Sequence, residues 1–413
     1  MAYFTFLYFL FVFLYIIRKR GLDVSACIIG IYMLTSMVSI YLLENSPAYS
    51  NKIPSFIPTI VYCSMITLVT IPFYRFNSTR VRRLPKVNIK VFNILSWTLI
   101  SGFIFSILLF KDDILVRLSY GDAIGELRGE AGGDLGSAQA TLSGPLRALS
   151  SLFMTILSLS PVSFILFFYS VTYLNKKKFF NFLLFFSSFG CLIASIIGID
   201  RSVFFYWIID FIFIFVLFRP YLTKKIRRLT SVAGLCMFIL AALYLVMMTS
   251  SRFKGRELDS FCDYMGQNYL NFCWFWDNYD APIINWGFFC PITSHFLDID
   301  WGAPVSAVPF GWFVESKVGY FVNYFYTFMG TVMLYLGQWA VIPFCIIFYN
   351  ISDNLLNRRS YFGIQSFIRL FILAVVPYCG VILYLYVDYI RFLAALIMLL
   401  FCYFLDKRMK MVK

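Results

Sequence analysis

The chain has 413 residues, of which 61% are hydrophobic and 14% charged. A soluble domain carries about a quarter charged residues, so the composition excludes an ordinary water-soluble fold. The net charge of +14 needs no nucleic-acid partner, because most of it falls in short clips between apolar runs, where it sets topology and meets anionic headgroups.

Apolar runs of roughly 17 to 25 residues, the length that crosses about 30 Å of hydrocarbon, recur along the chain. In lipid the backbone must satisfy its own hydrogen bonds, and these runs do not alternate as barrel strands do. The expected fold is therefore all-α: a polytopic integral membrane protein with about eleven transmembrane helices and two large periplasmic loops, in one membrane domain over residues 1–413. The spans are expected at 2–17, 22–43, 54–74, 91–110, 150–174, 179–199, 202–218, 229–249, 328–350, 364–387 and 390–405. The first run lacks a basic leader and a small-residue cleavage site, so it reads as a helix and not as a secretion signal.

Alternating the connections places 23 of the 35 cations on one side: Arg18 to Arg20, Arg75 to Lys90, Lys176 to Lys178, Arg219 to Arg228, Arg358–Arg359 and the tail from Lys407. Only Asp353 and Asp406 oppose them there. The basic side is cytoplasmic by the positive-inside rule, which puts the N-terminus outside, the C-terminus inside and the loops 111–149 and 250–327 outside.

The first loop is Gly-rich and polar, GDAIGELRGEAGGDLGSAQATLSG, with Arg117, Arg128 and Arg147 among six acids. Further on, Arg201 sits at a tight outer turn in SIIGIDRSVFF, and Asp210 lies mid-span in WIIDFIF. A carboxylate at that depth costs about 2.5–3.5 kcal/mol, so Asp210 is expected to face the protein interior with a partner. It reads as the one clear mid-span charge.

In the second loop the apolar residues from Glu257 fall at 258, 261, 262, 265, 269, 272, 273 and 276, which is helical spacing. The opposite stripe holds Arg256, Asp259, Asp263, Gln267 and Asn271. An amphipathic helix lying on the outer membrane surface, or roofing the bundle, is expected there. Five of the eight tryptophans (Trp274, Trp276, Trp286, Trp301, Trp312) belong to this loop, as an interfacial belt or as platforms for sugar rings. Cys262 and Cys273 are either bridged or free thiols on the helix's lipid side. With a single histidine and no cysteine cluster, neither a metal nor another cofactor is expected.

Outer-face arginines suit a phosphate-bearing lipid, since guanidinium grips phosphate oxygens bidentately and stays charged. Aimed at a departing pyrophosphate, they would stabilise the growing charge without a metal. A base near the attacking sugar hydroxyl would complete the chemistry, and Glu257, Asp263 and His295 are nearest in sequence.

The segments GIDRSVFFYWIID, then Arg252 and Arg256 followed by DYMGQNYLNF, then YTFMGTVMLYLGQWAVIPF occur in an order that resembles bacterial oligosaccharide repeat-unit polymerases, the Wzy-type O-antigen and capsule polymerases. The likeness covers about residues 195–350 as motifs and the whole chain as a hydropathy profile. It implies an inverting glycosyl transfer at the periplasmic face of the bacterial inner membrane, without a cofactor. Donor and acceptor would be undecaprenyl-pyrophosphate-linked glycans, and a flippase and a chain-length regulator would be partners. It implies substrate contacts for Arg201, Arg252 and Arg256, with Arg128 as an addition from the first loop, and loop-shaping roles for Tyr264 and Gly266. Arg256 and Gly266 miss by one the spacing found in some members, so that pattern carries no weight. An O-antigen ligase and a transporter or flippase of lipid-linked oligosaccharide are the alternatives; a transporter predicts charges along several spans and paired broken segments in matching halves.

Overall fold

A computed structural model describes residues 1–76, 89–119, 144–174, 176–198, 202–253, 257–278, 316, 327–357, 363–382, 386 and 389–411. Among these residues every regular element is helical and no strand occurs. The first helices are α1 (Ala2–Arg20), α2 (Val24–Asn45), α3 (Phe56–Arg75), α4 (Ile89–Leu109) and α5 (Lys111–Ser119). Then come α6 (Gly144–Ser158), α7 (Val162–Tyr169), α8 (Lys178–Ser187), α9 (Gly190–Gly198), α10 (Ser202–Phe218) and α11 (Lys224–Phe253). The series closes with α12 (Glu257–Asn278), α13 (Thr327–Leu336), α14 (Val341–Leu356), α15 (Ile364–Tyr378) and α16 (Tyr389–Met411).

Seven helical stretches among the described residues are long and apolar enough to cross a membrane: Ala2–Arg20, Val24–Asn45, Phe56–Arg75, Ile89–Leu109, Val203–Tyr221, Gln338–Leu356 and Ile364–Val381. The protein thus has the helical architecture of a multi-pass membrane protein. Six expected spans fall on these stretches, and five differ. The segment 150–174 bends by 61° between Leu152–Ser158 and Val162–Leu174, and makes an eighth crossing only if the two pieces are one span. The segment 179–199 is split into α8 and α9, and 328–350 is split into α13 and α14 at Gly337, whose φ of 88° suits glycine. The segment 229–249 lies inside the 30-residue α11, and 390–405 lies inside α16, where the apolar stretch is the shorter Arg391–Phe404.

The chain divides into two compact units, Met1–Ser78 with Leu258–Ser360 and Ile372–Phe392, and Thr79–Glu257 with Tyr361–Phe371 and Leu393–Lys413. In the first, α1 and α2 pair as a hairpin, and α3 packs on both and on α14. Asp23 caps α2, accepting from the Ala26 N–H at 2.8 Å and from Ser25 Oγ at 2.7 Å. The core is a run of buried rings: Tyr62 lies 5.9 Å from Phe9, 6.1 Å from Tyr32, 5.0 Å from Tyr269 and 5.5 Å from Phe272. The basic clips gather at one end. Arg20 stacks 4.1 Å from the Tyr74 ring and donates to the Tyr74 carbonyl, while Arg75 Nη1 reaches Tyr349 OH at 2.8 Å and Asp353 Oδ1 at 3.4 Å. The connection 46–55 between α2 and α3 therefore closes the opposite end.

In the second unit the two broken segments meet at their breaks. Ser160 Oγ accepts from the Cys191 N–H at 2.9 Å, and Trp207 Nε1 donates to the Ser188 carbonyl at 3.1 Å. Side chains thus satisfy backbone groups that an unbroken helix would have paired, as an apolar surrounding requires. Asp210 is buried, as a mid-span carboxylate must be. A second buried charge lies nearer a helix end: Arg369, five residues into the stretch Ile364–Val381, is only 2% exposed and donates from Nη2 to the Cys402 carbonyl at 2.9 Å. Its place near the start of an apolar run hid it in the linear reading.

Candidate functional site

Of the residues singled out above, Arg128, Arg201, Arg256 and His295 lie outside the described residues. Arg252 is in the last turn of α11 and Glu257 opens α12; their side chains also lie outside the description. Asp263, Tyr264 and Gly266 are on α12, the first two half-buried and the third buried.

The expected helix exists, but it does not lie on a surface along its whole length. Its first half is open: Asp259 and Phe261 are exposed. From Gly266 to Cys273 every residue is buried, including Gln267, Asn268 and Asn271 of the polar side. The reason is that both sides of the helix are covered. The apolar side, Tyr269 and Phe272, packs on Tyr62 of α3, and Tyr269 OH pairs with Thr59 Oγ1 at 2.7 Å. The polar side is met by Tyr49 and Lys52 of the 46–55 connection. Cys262 and Cys273 are both free, as residues on one helix separated by about 16 Å of rise must be. Cys273 faces the protein interior and not lipid.

The polar contacts form a short chain. Lys52 Nζ donates to Asn271 Oδ1 at 2.7 Å, Asn271 Nδ2 donates to Gln267 Oε1 at 3.3 Å, and Tyr49 OH donates to the same oxygen at 3.1 Å. Lys52 is 5% exposed, and its ammonium lies 4.9 Å from the Tyr49 ring centroid and 5.5 Å from that of Trp274. Burial pulls its pKa down to about 7. Beside this cluster Ser55 Oγ donates to Asp277 Oδ1 at 2.8 Å, and Trp276 meets Trp339 at 5.3 Å. The cluster sits at the end of its unit away from Arg20 and Arg75.

Lys52 was missed by sequence reasoning, yet a signal existed. Once the basic clips and the two long loops take their share, four cations remain: Lys52, Arg201, Arg369 and Arg391. A cation left over by the topology count is one whose position needs another cause. The TFMG motif has a structural role at the opening of α13: Thr327, buried with φ 67°, lets its Oγ1 accept from the Gly330 N–H at 3.4 Å, and its own N–H donates to the Ile382 carbonyl at 2.9 Å. Comparison of the chain with protein-family models, with curated proteins and with solved structures yields no match.

Proposed function

We propose that the chain is a membrane glycosyltransferase that polymerises undecaprenyl-pyrophosphate-linked oligosaccharide repeat units on the periplasmic face of the bacterial inner membrane. The product would be an O-antigen, capsule or exopolysaccharide. The observation that carries this reading is the half-open, half-buried α12, with its polar side and aromatic residues at the end of its unit opposite the basic clips. By the positive-inside rule that end faces outward. The motif order resembling repeat-unit polymerases supports the same assignment.

In this mechanism an acceptor sugar hydroxyl attacks the anomeric carbon of the donor glycan. Its proton passes to a carboxylate or imidazole among Glu257, Asp263 and His295. The bond from the anomeric carbon to the pyrophosphate oxygen breaks, and undecaprenyl pyrophosphate departs with the electron pair. Arg201, Arg252 and Arg256, with Arg128, hold that growing charge. A transporter would also use broken helices. Among the described residues two of the three broken segments, 150–174 and 179–199, lie in one unit, where Ser160 and Trp207 meet backbone groups at the breaks. Only the third, at Gly337, lies in the other, so the breaks are not paired in matching halves.

A strain lacking the protein should make surface glycan capped at a single repeat. Long chains left on the lipid carrier would instead identify a ligase, and a normal ladder of long surface glycan would end the glycosyl-transfer reading.

A further inference from the structure

Between Asp210 and Glu257 the chain carries no acid, yet five cations fall within ten residues: Arg219, Lys224, Lys225, Arg227 and Arg228. Four of them occupy the first five residues of α11, where the helix dipole repels positive charge. Like charges three and four positions apart on one helix also repel, as Lys225 and Lys224 do against Arg228. The cations of α1 carry no such cost, because Arg18 to Arg20 lie in its last turn. Arg227 draws the turn together, donating from Nη2 to the Arg219 carbonyl at 3.0 Å. Arg219, Lys224, Lys225 and Arg228 are exposed, and none makes an ion pair among the described residues. A topology signal needs cations on one side, and the connection 219–223 would hold them without this repulsion.

The cations head an exposed stripe. Lys225, Arg228, Leu229, Val232, Cys236 and Ile239 recur at steps of three or four, one face of a helix, and all are exposed. The opposite face is the packed one: a Cβ at Gly234 would stand 2.4 Å from Phe211 Cε1 of α10. From Leu229 to Ile239 the helix rises about 15 Å, half of a hydrocarbon core of about 30 Å. A positive head above an apolar track of one leaflet's depth is complementary to a negatively charged phospholipid. We infer that this face of α11 binds an anionic phospholipid, its phosphate paired with Lys225 and Arg228 and an acyl chain laid along Leu229, Val232 and Ile239. The site needs no glycosyl transfer, so it stands or falls apart from the polymerase reading.

The test is native mass spectrometry of the purified full-length protein in detergent, titrated with phosphatidylglycerol, phosphatidylcholine and glycerol phosphate. Phosphatidylglycerol should bind at concentrations where the zwitterionic lipid and the chainless phosphate do not. Lys225→Gln with Arg228→Gln should weaken that binding by about thirtyfold, the scale of two juxtamembrane cations. Arg18→Gln with Lys19→Gln, the matching change in α1, should leave it nearly unchanged. If the first pair of changes prevents folding, a photoreactive phosphatidylglycerol on the wild type decides: its adduct should map to 225–239. Phosphatidylcholine or glycerol phosphate binding as tightly as phosphatidylglycerol overturns the assignment. So does a folded Lys225 and Arg228 double variant that binds like wild type, equal weakening by the two pairs of changes, or an adduct mapped outside α11.

Discussion

The hydroxyl of Ser39 donates to the carbonyl oxygen of Gly266 at 2.5 Å, so α2 and α12 approach almost backbone to backbone. A Cβ on residue 266 would stand 2.8 Å from the Val38 carbonyl carbon and 2.9 Å from its oxygen. Backbone cannot swing aside as a flexible side chain can. Small residues at helix contacts in membrane proteins serve this purpose, and the second half of the YMG motif is thereby a packing element. Gly266→Ala should destabilise the protein by about 1–3 kcal/mol, the usual cost of overpacking. Thermal unfolding in detergent should show a lower midpoint, whereas Asp259→Ala, at an exposed position of the same helix, should leave it unchanged.

Lys52 should make stability depend on pH in a defined direction. Its pKa falls from 10.5 in the unfolded chain to about 7 in the folded protein. Between these values the unfolded chain holds a proton that the folded protein does not, so stability rises with pH from about 7 to about 10. Below 7 both states are protonated and the full cost of burying the charge is present. Lys52→Met removes that cost but leaves Asn271 Oδ1 without its donor. The wild-type melting midpoint should therefore gain on that of Lys52→Met as pH is raised from 6.5 to 9. Parallel curves over that range would mean that the folded amine keeps an ordinary pKa.

Thr327 combines a β-branched side chain with a positive φ, a pairing that costs roughly 1–2 kcal/mol. Asparagine tolerates this conformation and keeps an acceptor for the Gly330 N–H. Thr327→Asn should raise the melting midpoint, and Thr327→Val, which keeps the strain and loses the cap, should lower it by the equivalent of about 1 kcal/mol.

At the basic end, Asp353 accepts from Arg75 at 3.4 Å and from Asn357 Nδ2 at 3.0 Å, and Asn357 also donates to the Pro72 carbonyl at 3.0 Å. Arg75 is more than half exposed, so its ion pair contributes little, and the amide bridge between α14 and α3 contributes more. Asn357→Ala should accordingly lower the melting midpoint more than Arg75→Ala. The reverse order would place the stabilisation in the ion pair.

The arginines that the proposed topology puts outside carry the functional proposal. Alanine at Arg201, Arg252 or Arg256 should leave the protein expressed and shorten the glycan ladder. Three expressed variants with normal ladders would remove the site while leaving the family resemblance intact. A reporter tag near Asn285 should report from outside the cytosol, and a cytosolic signal would invert the topology.

Much of the fold is legible in the linear chain, because crossing lipid is a local requirement. A run of apolar residues must pair its own backbone, and the cations that flank it partition by side. Helices such as Val24–Asn45 and Ile364–Val381 follow from composition alone. The period of α12 was readable too, since 3.6-residue spacing is a property of neighbours in sequence. Tertiary structure decided what covers that period. Lys52 and Asn271 are 219 residues apart, and nothing local marks them as partners. Burial of the polar side, the breaks that meet through Ser160, and the depth of Arg369 likewise depend on which distant segment is packed alongside. A sequence states which groups need partners, whereas packing alone selects them.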